Sequence, residues 1–141
     1  TVYSFGTGFS VGVFADAFDT NDDGFPDLVF DHGDGNLGVL LNATDGSFSS
    51  MRISSPAIIA QRMVRADWNG DGRSDILSVS NLGSLDFLVN QGNGTFGVFP
   101  NKLGSLSGDS RLIPVDFDSD KKIDLIAYSA GQTLSLRNVS Q

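Results

Sequence analysis

An acidic string that returns at a fixed interval constrains this chain more than any other feature. In AFDTNDDGFPDLV, Asp19, Asn21, Asp23 and Asp27 stand at positions 1, 3, 5 and 9 of a loop. Asp67, Asn69, Asp71 and Asp75 repeat those positions in ADWNGDGRSDIL, and Asp116, Asp118, Asp120 and Asp124 repeat them in VDFDSDKKIDLI. The intervals from Asp19 to Asp67 and from Asp67 to Asp116 are 48 and 49 residues. An isolated acidic turn needs no explanation beyond solvation. Three in register mean that the polypeptide is built from copies of one unit.

The unit is a set of short strands. An apolar strand precedes each loop (11–18, 58–67, 111–116) and another follows it (27–30, 75–80, 124–129). A turn then leads to a third strand ending in Asn42, Asn90 or Asn138. An aromatic strand completes the first two copies, at 45–51 and 92–99. Four short strands in roughly 45–50 residues is the period of a β-propeller blade. The fold expected is all-β: three four-stranded propeller-type blades at about 9–53, 57–100 and 109–141, forming a single repeat domain. The third copy lacks its last strand, which the aromatic segment 1–5 is placed to supply. A β-sandwich or solenoid made of the same strands is the alternative.

Composition agrees. All 17 acidic residues are Asp, a poor helix former that prefers turns, and Gly also numbers 17. No window sustains apolar spacing at helical period. No apolar run is long enough to span a membrane. A net charge of −8 repels nucleic acid and suits a cation ligand. There is no Cys, so disulfide and thiolate chemistry are excluded.

Oxygen side chains on alternating residues can curl around one hard cation. Ca2+ takes six to eight oxygens, one of them commonly a backbone carbonyl. Position 7 is the natural carbonyl donor, which is Phe25, Arg73 or Lys122. Position 6 has to turn sharply, as Gly24 and Gly72 can. Position 9 opens the next strand and clamps the loop to the sheet. Ten of the 17 Asp fall at positions 1, 3, 5 and 9 of these loops, and such crowding is repulsive without a cation. Two Ca2+ sites are expected in the first two loops and a third in the last; Asx turns that hold no metal are the alternative. Zn2+ is poorly served, since His32 is the one possible nitrogen ligand.

The motifs D-x-N-x-D-G-x-x-D-[LI] at 19–28 and 67–76, with GTFG at 94–97, resemble the calcium loops of FG-GAP/VCBS repeats. The likeness covers nearly the whole chain. It implies blades like those of integrin α-subunit propellers and some fungal lectins, with Ca2+ held by the residues named above. The third loop departs from the pattern at Lys121, where Gly is usual, and Asp118 brings it a fourth carboxylate.

No catalytic motif appears, and His32 lies in a glycine-rich turn, so a non-enzyme is expected. Phe5, Phe9, Phe14, Phe18, Phe30, Phe48, Phe87, Phe96, Phe99 and Phe117 are expected in the core between blades. Trp68, at loop position 2, is offered a second role stacking on a sugar or partner. Arg62, Arg65 and Arg73 receive no special reading.

Three sequons, at Asn42, Asn93 and Asn138, suggest a secreted glycoprotein. The start, TVYSFGTG, has neither a basic region nor a hydrophobic stretch, so any secretory leader is expected to have been removed already. Three blades do not close a ring, so a partner is expected: a larger protein subunit, or another copy completing the propeller. The function expected is a calcium-stabilised accessory subunit of a larger secreted protein, for example an oxidase such as a laccase. A calcium-dependent lectin binding glycans, or an adhesion-type propeller fragment, is the alternative.

Overall fold

The structure, a computed structural model, describes residues 15–49, 51–58, 60–99, 104–106, 110–129 and 131–138. Those residues contain no helix, and their strands form three antiparallel sheets. In the first sheet β1 (Ala15–Phe18), β2 (Asp27–Asp31), β3 (Leu37–Leu40) and β4 (Arg52–Ser54) lie side by side in chain order. The second sheet places β5 (Ala60–Ala66), β6 (Asp75–Ser80), β7 (Ser84–Asn90) and β8 (Phe96–Val98) in the same way. There β9 (Gly104–Ser105) pairs with the start of β7. The third sheet contains β10 (Arg111–Val115), β11 (Asp124–Ser129) and β12 (Gln132–Leu136). These are the meanders of propeller blades. The expectation that segment 1–5 completes the third blade falls outside the described residues.

The fourth strand of the first sheet is displaced from its expected place. Among the described residues of 45–51 the ladder shrinks to the isolated bridge Asn42–Phe48, beside which the Ser49 N–H donates to the Leu41 carbonyl at 2.8 Å, and regular pairing resumes where β4 meets Leu37–Val39. The side chain of Ser49 causes the break. Its Oγ, not a main-chain carbonyl, accepts the Leu41 N–H at 3.1 Å.

Side chains alternate across a strand, and the middle sheet uses both faces. Met63, Ile76 and Leu88 on its rear face pack against Phe18, Val29, Leu37 and Val39 of the first sheet. Leu77, Val79, Leu85 and Phe87 on its forward face pack against Leu112, Leu125 and Ala127 of the third. The core is therefore two layers, each between consecutive blades.

Two arginines overturn their neutral reading, because both tie blades together. The Arg65 guanidinium lies 5.2 Å from the Phe18 ring centroid and donates to the Ala17 carbonyl at 3.3 Å. Arg73 joins the second acidic loop to Asp22 of the first. The aromatic expectation also needs correction. Phe18, Phe87 and Phe96 are buried, whereas Phe99 and Phe117 are exposed. Phe5, Phe9 and Phe14 fall outside the described residues.

One glycine is fixed by packing. Gly83 has φ +80° in the β6–β7 turn, and a methyl group there would run into the Leu106 carbonyl oxygen. The Leu106 N–H also donates to the Gly83 carbonyl at 2.7 Å. Gly83→Ala should cost about 3 kcal/mol, combining left-handed strain with a backbone clash. Denaturant unfolding would measure the loss, and an unchanged midpoint would contradict this packing.

Candidate metal centres

All three acidic loops join the first and second strands of a blade, and all three adopt one backbone path. Position 6 is left-handed in each: Gly24 at φ 85°, Gly72 at 88° and Lys121 at 69°. Position 4 is left-handed too, at Asp22 (64°), Gly70 (75°) and Ser119 (65°). Lys121 thus holds the conformation that Gly holds elsewhere, at a cost of roughly 1–2 kcal/mol for an L-residue. Lys121→Gly should stabilise the protein by about 0.5–1 kcal/mol once the extra entropy of the unfolded chain is deducted. A melting curve that shifts down would contradict the shared geometry.

Within each loop, carboxylates and amides gather backbone N–H groups. Asp19 accepts from Asn21, Asp23 and Gly24, the last at 2.8 Å. Asp67 accepts from Gly70 and Gly72 at 2.8 and 2.9 Å. Asp116 accepts from Lys121 at 3.0 Å. Asp23, Asp71 and Asp120 each accept the N–H of position 7, from Phe25, Arg73 and Lys122 at 2.8–2.9 Å. Asn21 and Asn69 lie beside position 5 and donate Nδ2–H to Asp23 and Asp71. Burial alone would raise the Asp19 carboxyl. The N–H groups of Gly24, Asn21, Asp23 and Asp22 outweigh it and hold the group below the usual carboxylate range.

Position 9 is a separate device. Asp27, Asp75 and Asp124 each open a strand, fully buried. One oxygen of each accepts the N–H of position 2: Thr20 at 2.9 Å, Trp68 at 3.2 Å and Phe117 at 3.1 Å. The other accepts from Asn42, Asn90 or Asn138 at 2.8–2.9 Å. Those Asn side chains return the bond, donating to the carbonyl of position 8, which is Pro26, Ser74 or Ile123. An ionised carboxylate has about four lone-pair sites, so these bonds leave room for a cation. The Asp–Asn staple was legible only as the coincidence of three Asn 48 residues apart.

The staple sorts the sequons. Asn138 is 5% exposed, and its Nδ2 donates to the Ile123 and Trp68 carbonyls. A glycan on that nitrogen is incompatible with this arrangement. The Asn42 nitrogen is held by Pro26 in the same way. Asn93 stands exposed, with Oδ1 accepting from both Thr95 N–H and Thr95 Oγ1.

The loops also touch across blades. Arg73 at position 7 of the second loop donates to Asp22 at position 4 of the first at 2.7 Å, and its own loop's Asp71 is 3.7 Å away. The carbonyls at position 2 reach the next blade, Thr20 to Gly94 N–H at 3.0 Å and Trp68 to Asn138. Trp68 itself packs on the second core layer, 6.3 Å from Phe87, which favours the core role over an exposed stacking platform. His32 pairs with Asp34 at 3.0 Å in its turn.

The third loop supplies the test of fit. Oxygens of Asp116, Asp118 and Asp120 lie within 4.8 Å of one another. Asp116 Oδ1 is buried with no hydrogen-bond partner among the described residues. A buried carboxylate oxygen without a donor is costly, and a hard cation among three carboxylates would satisfy it. The donor set, all oxygen, fits Ca2+.

Antiparallel meanders stacked face to face, each opening on an acidic loop of one geometry, define a repeat protein of propeller-blade type. Residues 67–127 match the family model of the FG-GAP-like repeat. Over those residues the chain carries an FG-GAP-like repeat. No curated protein matches it. Among solved structures, it is similar to a lectin of Agrocybe aegerita described for its specific recognition of non-reducing terminal N-acetylglucosamine. The TM-score is 0.64 and the identity 22%, over 90% of this chain. The chain spans 35% of that lectin's length. At this identity the likeness carries the fold alone.

Proposed function

We propose that this chain is a secreted, non-catalytic binding module whose blades are braced by Ca2+, acting as an accessory subunit that holds a protein partner. The orphaned Asp116 Oδ1, in a trio of carboxylates, is the observation that carries the cation reading. Asp19, Asn21, Asp23 and Asp27 would hold one ion, Asp67, Asn69, Asp71 and Asp75 a second, and Asp116, Asp118, Asp120 and Asp124 a third. The carbonyls of Phe25, Arg73 and Lys122 would complete these sets. The ion supplies charge neutralisation: three would bring the formal charge from −8 to about −2. With the protein oxygens committed to structure, the module works by presenting surfaces. Exposed Asn93 supports secretion with a glycan at that sequon.

Calorimetric titration of chelated protein with Ca2+ should resolve two or three sites, with Mg2+ binding more weakly. The absence of heat would leave closed Asx turns as the account.

A second reading, glycan binding, is favoured by a groove of about 600 Å3 beside the β6–β7 turn. Ser80, Asn81, Ser84 and Asp86 give it polar groups, and Ile58 and Val98 an apolar side. The absence of an aromatic platform among its lining residues keeps this reading second. A glycan microarray, including terminal N-acetylglucosamine, separates the two.

A further inference from the structure

The three loops serve as comparisons for one another, and two positions change together in the third. Position 3 is Asn21 in the first loop and Asn69 in the second, but Asp118 in the third. The residue before the stapled Asn is Leu41 in the first blade and Val89 in the second, but Arg137 in the third. The two departures meet in space: the Arg137 guanidinium pairs with the Asp118 carboxylate, Nε to Oδ2.

The pairing has a chemical reason. Asn21 and Asn69 donate Nδ2–H to the position 5 carboxylate, at 2.8 and 3.0 Å. An ionised carboxylate has no such proton, so Asp118 sets a third acid beside Asp116 and Asp120. Arg137 answers it with charge; the contact is ionic rather than a directed hydrogen bond. Its backbone is fixed in place, because the next residue, Asn138, is held by Asp124 and by the carbonyls of Ile123 and Trp68. Positions 1, 3, 5 and 9 carry three carboxylates in each of the first two loops and four in the third, and Arg137 returns the third to a net charge of −3. Arg73 of the second loop is directed elsewhere: its short contact, 2.7 Å, is with Asp22, and Asp71 is 3.7 Å away.

We propose that Arg137 is a built-in counter-cation of the third loop. It holds Asp118 in the ion-free protein and opposes the entry of Ca2+, so this loop fills at a higher Ca2+ concentration than its four carboxylates alone would set. This rests on the cation reading given above. Affinity for a hard cation rises with the charge of its ligands. A guanidinium on one ligand cancels part of that charge and repels the incoming ion. The coupling is reciprocal, and the ion loosens the pair by the factor that the pair weakens the ion. The Arg137 side chain is 59% exposed and Asp118 20%, so the guanidinium has solvent to move into while the carboxylate stays in the loop. A residue that merely oriented Asp118 would act in the opposite sense, since its loss would weaken the ion.

Calorimetric titration of the chelated full chain tests this for wild type, Arg137→Gln, Arg137→Met and Arg137→Lys, with circular dichroism confirming that each folds. The component that Asp116→Ala removes identifies the third loop. In the two neutral variants that component should tighten about tenfold, while the chelated protein melts about 2–3 °C lower. Arg137→Lys keeps the charge and should stay within about twofold of wild type. Raising NaCl from about 50 to about 500 mM should shrink the difference between neutral and charged variants, because the charge is half in solvent. If wild type takes up two ions only, the neutral variants should admit the third. Neutral variants that bind the third ion no tighter than wild type, or more weakly, would overturn the role of Arg137 and leave the cation reading intact. A wild type and variants that bind no Ca2+ at all would take down the cation reading and this inference with it.

Discussion

Stripping the protein of Ca2+ with a chelator should lower its melting temperature by about 15 °C. A ligand at a hundredfold excess over its dissociation constant contributes about 2.7 kcal/mol per site, and two filled sites therefore about 5. For a chain of this size each kcal/mol moves the midpoint by roughly 3 °C. The effect is large because folding gathers acid. Ten of the 17 Asp stand at positions 1, 3, 5 and 9 of the three loops, and folding turns carboxylates that splay apart along an extended chain toward one point. The hydrogen bonds inside the loops, from Gly24, Gly72 and Lys121 to position 1, hold the backbone but leave the charge in place. Asp116→Ala should remove the increment of the third loop and leave the other two. Scanning fluorimetry with and without chelator measures both, and a midpoint unmoved by chelation would leave the loops as turns that need no ion.

The architecture was readable because the repeat is written in residue types that physics treats differently. Asp at alternating positions with Gly or Asn between them marks the loop, and apolar runs such as DLVF and DILSVS mark the strands. The first, second and third strands of each blade followed from that alternation. So did the fourth strand of the second blade, Phe96–Val98 within the expected 92–99; that of the first blade did not, since Ser49 diverts a ladder bond through its hydroxyl, and a serine gives no sign of that choice in sequence. Arg65 and Arg73 were illegible for another reason. Their partners, Ala17, Phe18 and Asp22, belong to the preceding blade, and only the stacking angle of blades brings them within reach. The sequon at Asn138 is a three-residue pattern, whereas the side-chain amide there is held by the carbonyls of Trp68 and Ile123, 70 and 15 residues earlier.

Position 9 and position 5 should separate fold from ion. Asp75→Ala should cost about 3–5 kcal/mol even in chelated protein. It strips the acceptor from the N–H groups of Trp68 and Asn90, and leaves a cavity between β6 and its loop. Asp71→Ala, at a more open site, should cost chelated protein less than about 1 kcal/mol, because its main bond is to the neighbouring Arg73 N–H. In Ca2+ the order of sensitivity changes: Asp71→Ala then loses the increment of its site as well. Burial pushes the Asp75 carboxyl up to about 6, against the pull of the Asn90 and Trp68 N–H groups and with the Asp71 charge adding to the rise. The folded group therefore binds its proton more tightly than the unfolded one, whose value is near 3.8. Its contribution is fully present below that value and is lost as pH rises through 6, so chelated protein should be more stable at pH 5 than at pH 7. Ca2+ favours the ionised carboxylate and should flatten or reverse that slope. Urea midpoints for wild type and both variants, at the two pH values with and without Ca2+, measure all of this. Equal losses for the two variants in chelator would show that the buried staple does not hold the blade.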